Sequence, residues 1–323
     1  MTRPTIPLRR LVQPDEDHLR STWRQATVRR IEHALALSQQ RDPGGWYVAG
    51  ASGDIGATSV VRTIAGREVA LWRDHSGHLH AGPGACPHMG AALAGCSVGD
   101  RGIRCRWHGM ELPAEGGGAW REFGAHDDGA LVWVQLPTPG ETPADSPVLP
   151  VRPPLGESIS SVVAMPATCE PADILANRLD PWHGAWFHPY AFSHLTVDED
   201  RSSPEELIVH VAFRLNPTWG VPVVASFTTP DARTIVMHII EGEGAGSVVE
   251  THATPLGPGP DGLARTMMTE VTIAHSPRAG FRVARRLGFL LDPAIRATAR
   301  QLWVDDLAYA ERRYALRSGS VAR

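Results

Sequence analysis

Lysine is missing from this chain of 323 residues: all 31 basic residues are arginine. That absence excludes a Schiff-base lysine and a phosphate-loop lysine, and with them pyridoxal-phosphate enzymes and P-loop NTPases. No run of 18 apolar residues occurs, and the first residues, Met-Thr-Arg-Pro, are not an apolar signal segment. No stable membrane insertion and a cytoplasmic location are therefore expected. Cysteine is scarce as well. Cys86, Cys96, Cys105 and Cys169 are too few for a disulfide scaffold at this length. The formal charge of −4 leaves no basic footprint for nucleic acid.

Glycine and proline are plentiful, at 32 and 27, beside a hydrophobic share of 42%. This suits β-structure with long connections, and the length suggests about two domains. Leu19, Trp23, Val28, Ile31, Leu35 and Leu37 stand at roughly helical spacing between Asp17 and Gln40, which predicts a helix within an N-terminal segment, residues 1–45. A first domain, 46–150, follows in short strands. They include a hairpin over Val69–His80 turning at Ser76-Gly77, and a strand over Leu131–Leu136. Pro137 to Pro154 reads as a linker. In the second domain, 151–323, strands are expected at Leu207–Leu215, Val223–Thr229, Thr234–Ile240, Ser247–Ala253 and Arg265–Ile273. They form an antiparallel set because no crossover helices separate them. One or two helices should close the chain, from about Pro293 through Ala315, and Gly242–Gly246 is read as a turn.

Two short loops mix cysteine with histidine. Gly82-Pro-Gly-Ala-Cys86-Pro-His88-Met-Gly is followed, with 16 residues between His88 and Cys105, by Cys105-Arg-Trp-His108-Gly. In a two-iron cluster with histidines on one iron, two cysteines hold one metal and two histidines the other. Flanking glycines let backbone N–H groups approach the sulfides. The alternative is a structural Cys₂His₂ zinc site, although zinc sites favour a C-x₂₋₄-C knuckle that is absent here. The loops resemble those of Rieske proteins over Trp46 to Leu136. They are similar to the ring-hydroxylating oxygenase type rather than the cytochrome bc type, whose loops each carry a further cysteine. Met110 stands where many of these enzymes have tryptophan. Cys96 and Cys169 are read as ordinary buried residues.

The second half opens with Asn177-Arg-Leu-Asp180-Pro-Trp-His183-Gly-Ala-Trp-Phe-His188. Two histidines and a carboxylate on one face of an iron leave positions open for dioxygen and substrate. On a regular helix His183 and His188 would lie about 140° apart, so sharing a metal requires the helix to end or bend between them. Asp180-x-x-His183-x₄-His188 resembles the mononuclear-iron motif of Rieske non-heme iron oxygenases, with Asn177 where many monooxygenase-type members carry asparagine. The resemblance implies that Asp180 hydrogen-bonds histidines rather than iron, linking a cluster histidine of one subunit to an iron histidine of the next. It also implies a third ligand from Leu302-Trp-Val-Asp305-Asp306-Leu-Ala-Tyr-Ala-Glu311, with Asp306 preferred and Asp305 as the alternative.

The resemblance implies an α+β fold, with a small antiparallel Rieske [2Fe–2S] domain and a helix-grip (START-like) catalytic domain whose sheet wraps a C-terminal helix. It implies a [2Fe–2S] cluster held by Cys86, His88, Cys105 and His108, and a mononuclear Fe(II). The activity implied is that of an oxygenase component, monooxygenase or dioxygenase, which hydroxylates, demethylates, desaturates or cyclises a hydrophobic substrate with O2. The chain carries no flavin or nicotinamide motif, so a ferredoxin or NAD(P)H-dependent reductase should supply electrons. The assembly implied is a homotrimer. The rival reading is a Rieske electron carrier with a non-catalytic binding domain, which would have no use for Asp180, His183, His188 and Asp306 together. Trp219, Phe227, Met237, Met267 and Met268 are candidate pocket residues, and His194 a possible substrate contact. His75, His78 and His80 could mimic a metal site, but without a carboxylate or cysteine to complete it.

Overall fold

The computed structural model describes residues 8–11, 21–114, 116–117, 120–286 and 288–321. Chain order begins β1 (Arg9–Arg10), α1 (Val28–Ser38), β2 (Trp46–Ala51), β3 (Val60–Ile64), β4 (Arg67–Arg73) and β5 (Leu79–Pro83). Then come β6 (Ser97–Gly99), β7 (Gly102–Arg104), β8 (Glu111–Pro113), β9 (Gly124–Asp127) and β10 (Leu131–Gln135). Strands β2 to β10 form three antiparallel three-stranded sheets, ordered β2-β10-β9, β3-β4-β5 and β6-β7-β8. The Asp74 carboxylate accepts from the backbone N–H of Ser76 and of His78, and so closes the turn at Ser76-Gly77.

The second half contains β11 (Ile159–Ala167), α2 (Pro171–Arg178), a one-turn helix α3 (Gly184–Phe187) and β12 (Phe192–Val197). It continues with β13 (Glu206–Arg214), β14 (Trp219–Asp231), β15 (Thr234–Gly242), β16 (Val248–Pro258) and β17 (Ala264–Ala274). Helices α4 (Ala279–Arg286) and α5 (Gly288–Ser318) end it. One antiparallel sheet runs β11-β17-β16-β15-β14-β13-β12, with β1 added beside β14. The fold is thus the α+β arrangement expected, with α5 packed across the large sheet through Trp303, Leu307, Ala310 and Tyr314.

Several sequence expectations change in detail. The N-terminal helix is shorter than Asp17–Gln40. It starts after Thr27, whose hydroxyl accepts from Arg30 N at 3.3 Å, and ends at Ser38. Its buried residues Ile31, Ala34, Leu35 and Ser38 follow the i, i+3, i+4, i+7 pattern. Burying Ile31 and Leu35 contributes about 1.5–3 kcal/mol each. Trp23 precedes the helix and is exposed, while Asp17 and Leu19 lie outside the described residues. Strands β11 and β12 were not foreseen, and α5 begins five residues before Pro293.

The two halves are joined by packing and by charge. Trp46, Val48, Leu131 and Trp133 pack against Val271 and Ile273. Thr254 Oγ1 donates to the Val48 carbonyl at 2.8 Å. The stretch 137–154 contains no helix or strand, yet it is tied at both ends. Ala144 N donates to Gly44 O at 3.1 Å, and Arg152 stands between Asp128 (2.8 Å) and Glu250 (2.5 Å), all three side chains largely buried. The two carboxylates hold the Arg152 guanidinium well above its ordinary value against the opposing effect of burial.

Candidate active site

The paired loops are built alike. Gly90 N donates to Cys86 O at 2.8 Å and Cys86 N to Ala91 O at 2.8 Å; in the second loop Gly109 N donates to Cys105 O and Cys105 N to Met110 O, each at 2.9 Å. Gly90 and Gly109 take φ of 71° and 69°, a left-handed conformation that permits both turns without a Cβ penalty. The backbone N–H groups of His88 and Met89 point at the Cys86 sulfur, and those of Trp107 and His108 at the Cys105 sulfur. Burial pushes the Cys86 thiol up. At Cys105 burial is outweighed by the Trp107 and His108 amides, which hold the thiol below its usual value. The two imidazoles face one another edge to face with ring centroids 4.9 Å apart. Two buried thiols, two exposed imidazoles and amides aimed at sulfur make a donor set that fits a two-iron cluster with mixed ligation. Around the tip Met89 (66%) and Trp107 (59%) are exposed.

The second constellation forms where helix geometry breaks. A 3₁₀ turn over Pro181–His183 passes into α3, so His183 caps the short helix at its N-terminus and His188 at its C-terminus. The interruption that a spacing of five required is therefore present, with Gly184 in the middle. His183 Nε2 lies 3.1 Å and His188 Nε2 2.9 Å from Asp306 Oδ1, which arrives from α5. Ligand atoms about 2.1 Å from an ion and at right angles stand about 3 Å from each other, so this trio matches one face of a metal's coordination shell. All three donor atoms lie within 4.8 Å of one another, in the one such group among the described residues. Burial would raise the Asp306 carboxyl, but His183, His188 and Arg178 hold it well below the carboxylate range. His183 in turn is pushed up by Asp306 despite its burial.

The neighbours of the trio were only partly foreseen. Asn177, fully buried, donates Nδ2 to Asp306 Oδ1 at 3.0 Å. Asp305 is not at the convergence point; its Oδ2 accepts from Tyr190 OH at 2.6 Å and lies 3.5 Å from His188 Nδ1. Asp180 stands 3.9 Å from His183 Nδ1, too far for the hydrogen bond expected within one chain, and accepts instead from Tyr309 OH at 3.4 Å. Tyr309 also stacks on the His183 ring. Tyr190 and Tyr309 were missed, although Tyr190 follows His188 by two residues and Tyr309 follows Asp306 by three.

A cavity of about 910 Å³ opens beside the trio, walled by Leu195, Val209, Phe213, Phe227, Met237 and Ile239 among others. Phe227 and Met237 line it as expected, whereas Trp219, Met267 and Met268 do not. Met268 is sealed in the core and Trp219 is exposed at a strand end. His194 is also off the wall; it sits at φ 52° with Ser193 Oγ 2.9 Å from its Nδ1. His80 does meet carboxylates, contrary to expectation, with Glu122 at 2.7 Å and Asp74 at 3.3 Å.

Residues 45–128 match the Rieske [2Fe-2S] domain, and residues 138–321 match a domain of unknown function, DUF5914. The chain is 33% identical over 159 residues to a Comamonas testosteroni iron–sulfur subunit named for a toluene-4-sulfonate monooxygenase system, a match covering 45% of each chain. It is 27% identical over 175 residues to the 5,5'-dehydrodivanillate O-demethylase oxygenase subunit of Sphingobium sp., covering 44% of this chain and 40% of that one. The matches thus span less than half the length of these relatives. In fold the chain is similar to dicamba monooxygenase bound to dicamba, with a TM-score of 0.62 and 18% identity over 87% of this chain and 91% of that one. With a Rieske [2Fe–2S] domain and relatives named as subunits of monooxygenase and O-demethylase systems, the chain belongs to the Rieske non-heme iron oxygenase family, its second half being the DUF5914 domain.

Proposed function

We propose that this chain is the oxygenase component of a Rieske-type system, using dioxygen and electrons from a separate ferredoxin or NAD(P)H-dependent reductase to oxidise a hydrophobic organic substrate. The observation that carries this reading is the convergence of His183, His188 and Asp306 at the wall of a large apolar cavity, in a chain that also bears the paired Cys–His loops. Cys86 and Cys105 would hold one iron of the cluster, and His88 and His108 the other. His183, His188 and Asp306 would hold the mononuclear iron. The cluster supplies single electrons, and a ferrous ion on such a facial set supplies open positions for dioxygen and substrate. The protein's part is positional. Asn177 steadies the Asp306 carboxylate, Asp305 and Tyr190 face the outer nitrogen of His188, and the apolar wall keeps water from the reacting face. The relatives named for toluene-4-sulfonate and dehydrodivanillate support a bulky, ring-bearing substrate.

Assembly as a homotrimer is part of the same proposal. Met89, Trp107 and Met110 expose apolar surface at the cluster tip, and Trp186, Phe187 and Tyr190 expose it beside the trio. A head-to-tail contact between these patches on different copies closes into a ring, most simply a trimer. Asp180 would then link His183 to His108 of a neighbouring copy. In support, Asp180 Oδ1 and His183 Nδ1 are buried without a hydrogen-bond partner among the described residues.

Metal analysis is the direct test. Protein purified anaerobically is expected to carry about three irons and two acid-labile sulfides per chain. Stoichiometric zinc without sulfide would overturn the reading, and two irons after iron resupply would leave an electron carrier. Asp180→Asn is expected to retain both metals and the trimer by light scattering, while oxidation of the reduced cluster slows by orders of magnitude.

A further inference from the structure

Most polar groups in the cavity wall are answered within the protein. Glu243 accepts from Ser276 and Arg278, and Asp306 from Asn177 and the two histidines. Arg214 donates Nη1 to Pro217 O, while its Nε and Nη2 are buried without a partner among the described residues.

Glu270 differs. It stands on β17 in the cavity wall, only 7% exposed. Among the described residues the one hydrogen bond it accepts comes from Trp303 Nε1, 2.8 Å from Oε2. Arg178 Nη2 lies 3.9 Å from the same oxygen, near enough for attraction and too far for a hydrogen bond. The Arg178 guanidinium lies over the Trp303 ring, 5.6 Å from its centroid. A carboxyl has acceptor sites on both oxygens, and a buried polar group with its sites unfilled costs free energy that a partner recovers. Oε1 is thus an acceptor in this wall with no hydrogen bond among the described residues, and Arg178 Nε beside it is a buried donor without one.

We propose that Glu270 is the polar anchor of the substrate cavity, pairing through Oε1 with a hydroxyl of a neutral and otherwise hydrophobic substrate. The inference rests on the oxygenase reading and narrows its substrate class. Charge selects among the possible head groups. A carboxylate or sulfonate would meet the Glu270 carboxyl itself, and an ammonium would meet Arg178 beside the anchor. A hydroxyl donates to an ionised carboxyl and accepts from a protonated one, so it pairs in either state. Burial pushes the Glu270 carboxyl up, toward the form that donates. Trp303 and Asp306 are three residues apart on α5 and share a face, about 4.5 Å apart along the axis. A ligand held at Glu270 therefore presents its next carbons to the His183–His188–Asp306 trio.

The test compares three probes of one shape, 2-naphthol, naphthalene and 2-naphthoate, by anaerobic equilibrium dialysis against the metal-loaded protein. Wild type is expected to bind 2-naphthol about tenfold more tightly than naphthalene, the worth of one hydrogen bond, and 2-naphthoate more weakly than 2-naphthol. In Glu270→Leu the preference for 2-naphthol should collapse toward parity while naphthalene binds as well as before; Glu270→Gln should keep most of it. Parity between 2-naphthol and naphthalene in wild type overturns the proposal whether or not the variants fold. So does an unchanged preference in Glu270→Leu, or tightest binding of 2-naphthoate. Iron and sulfide assayed on the same samples keep the two readings apart: a chain without them fails as an oxygenase, whereas a fully loaded chain without the preference fails only the anchor.

Discussion

The two metal-binding constellations are built in opposite ways. The cysteines and histidines of the paired loops all fall within residues 86–108, on two turns of matching hydrogen-bond pattern, with sulfur buried and imidazole at the surface. The trio in the second half joins His183 and His188 to a carboxylate 118 residues beyond the latter, and buries it, with His188 1% and Asp306 2% exposed. A group that exchanges electrons with other proteins profits from an exposed edge, and one that handles dioxygen profits from a closed, dry site. The contrast between surface and interior thus matches the division of labour proposed for the two halves.

Removing one donor from each site should separate them most sharply. Cys105→Ser removes a thiolate from a site with no spare ligand, and is expected to abolish the visible spectrum and the labile sulfide. Asp306→Ala should leave the spectrum intact and abolish turnover, because two histidines alone hold ferrous iron poorly. Visible spectra, iron content and single-turnover assays on the two variants check this. If Asp305→Ala abolishes turnover and Asp306→Ala does not, the third ligand is misassigned.

The next effect tests whether the halves unfold together. Arg152 holds Asp128 of the first half and Glu250 of the second in a buried triad. Arg152→Met keeps much of the side chain's bulk but leaves the buried carboxylates of Asp128 and Glu250 without the guanidinium they share. Such a loss costs about 3–5 kcal/mol. Calorimetry is expected to show a lower transition temperature and a split of one transition into two; a single unshifted transition would mean that the apolar contacts of Trp46, Trp133 and Ile273 suffice.

These differences also decide how much was legible in the sequence. The cysteine–histidine loops could be read directly because their partners are close in sequence and their spacing is chemically restrictive. The order of strands then a long helix was readable from alternation and from the turn residues between β13 and β17. What could not be read depends on tertiary placement. Asp305 and Asp306 are neighbours in sequence and differ only in which side of α5 they take. Met268 is apolar and in the right strand, yet its position along β17 puts it in the core while Glu270, two residues on, reaches the cavity. Strand β11 was missed because its pairing with β17 is set by a partner about a hundred residues away.

The smallest expected effect concerns how the buried trio is held. His188 Nδ1 has Tyr190 OH at 3.4 Å and Asp305 Oδ2 at 3.5 Å, and the tyrosine donates to that same carboxylate at 2.6 Å. The pair stands at the outer nitrogen of an imidazole whose inner nitrogen faces Asp306, the arrangement by which outer partners fix a metal-bound ring. Tyr190→Phe deletes only the hydroxyl. Asp305 then loses its close donor and is free to swing away from His188, and the ring gains rotational freedom. Partners of this kind are worth about 10–100-fold in metal affinity or activity, and with Asp305 still present the lower end, about tenfold, is expected. Competition with a ferrous chelator should show that loss, while the cluster spectrum stays unchanged because no residue of the paired loops is touched. Asp305→Asn, which keeps an oxygen for Tyr190 but removes the charge, should fall between wild type and Tyr190→Phe. A drop in iron affinity in Asp305→Asn as large as that of Asp306→Ala would show that Asp305 is itself a ligand.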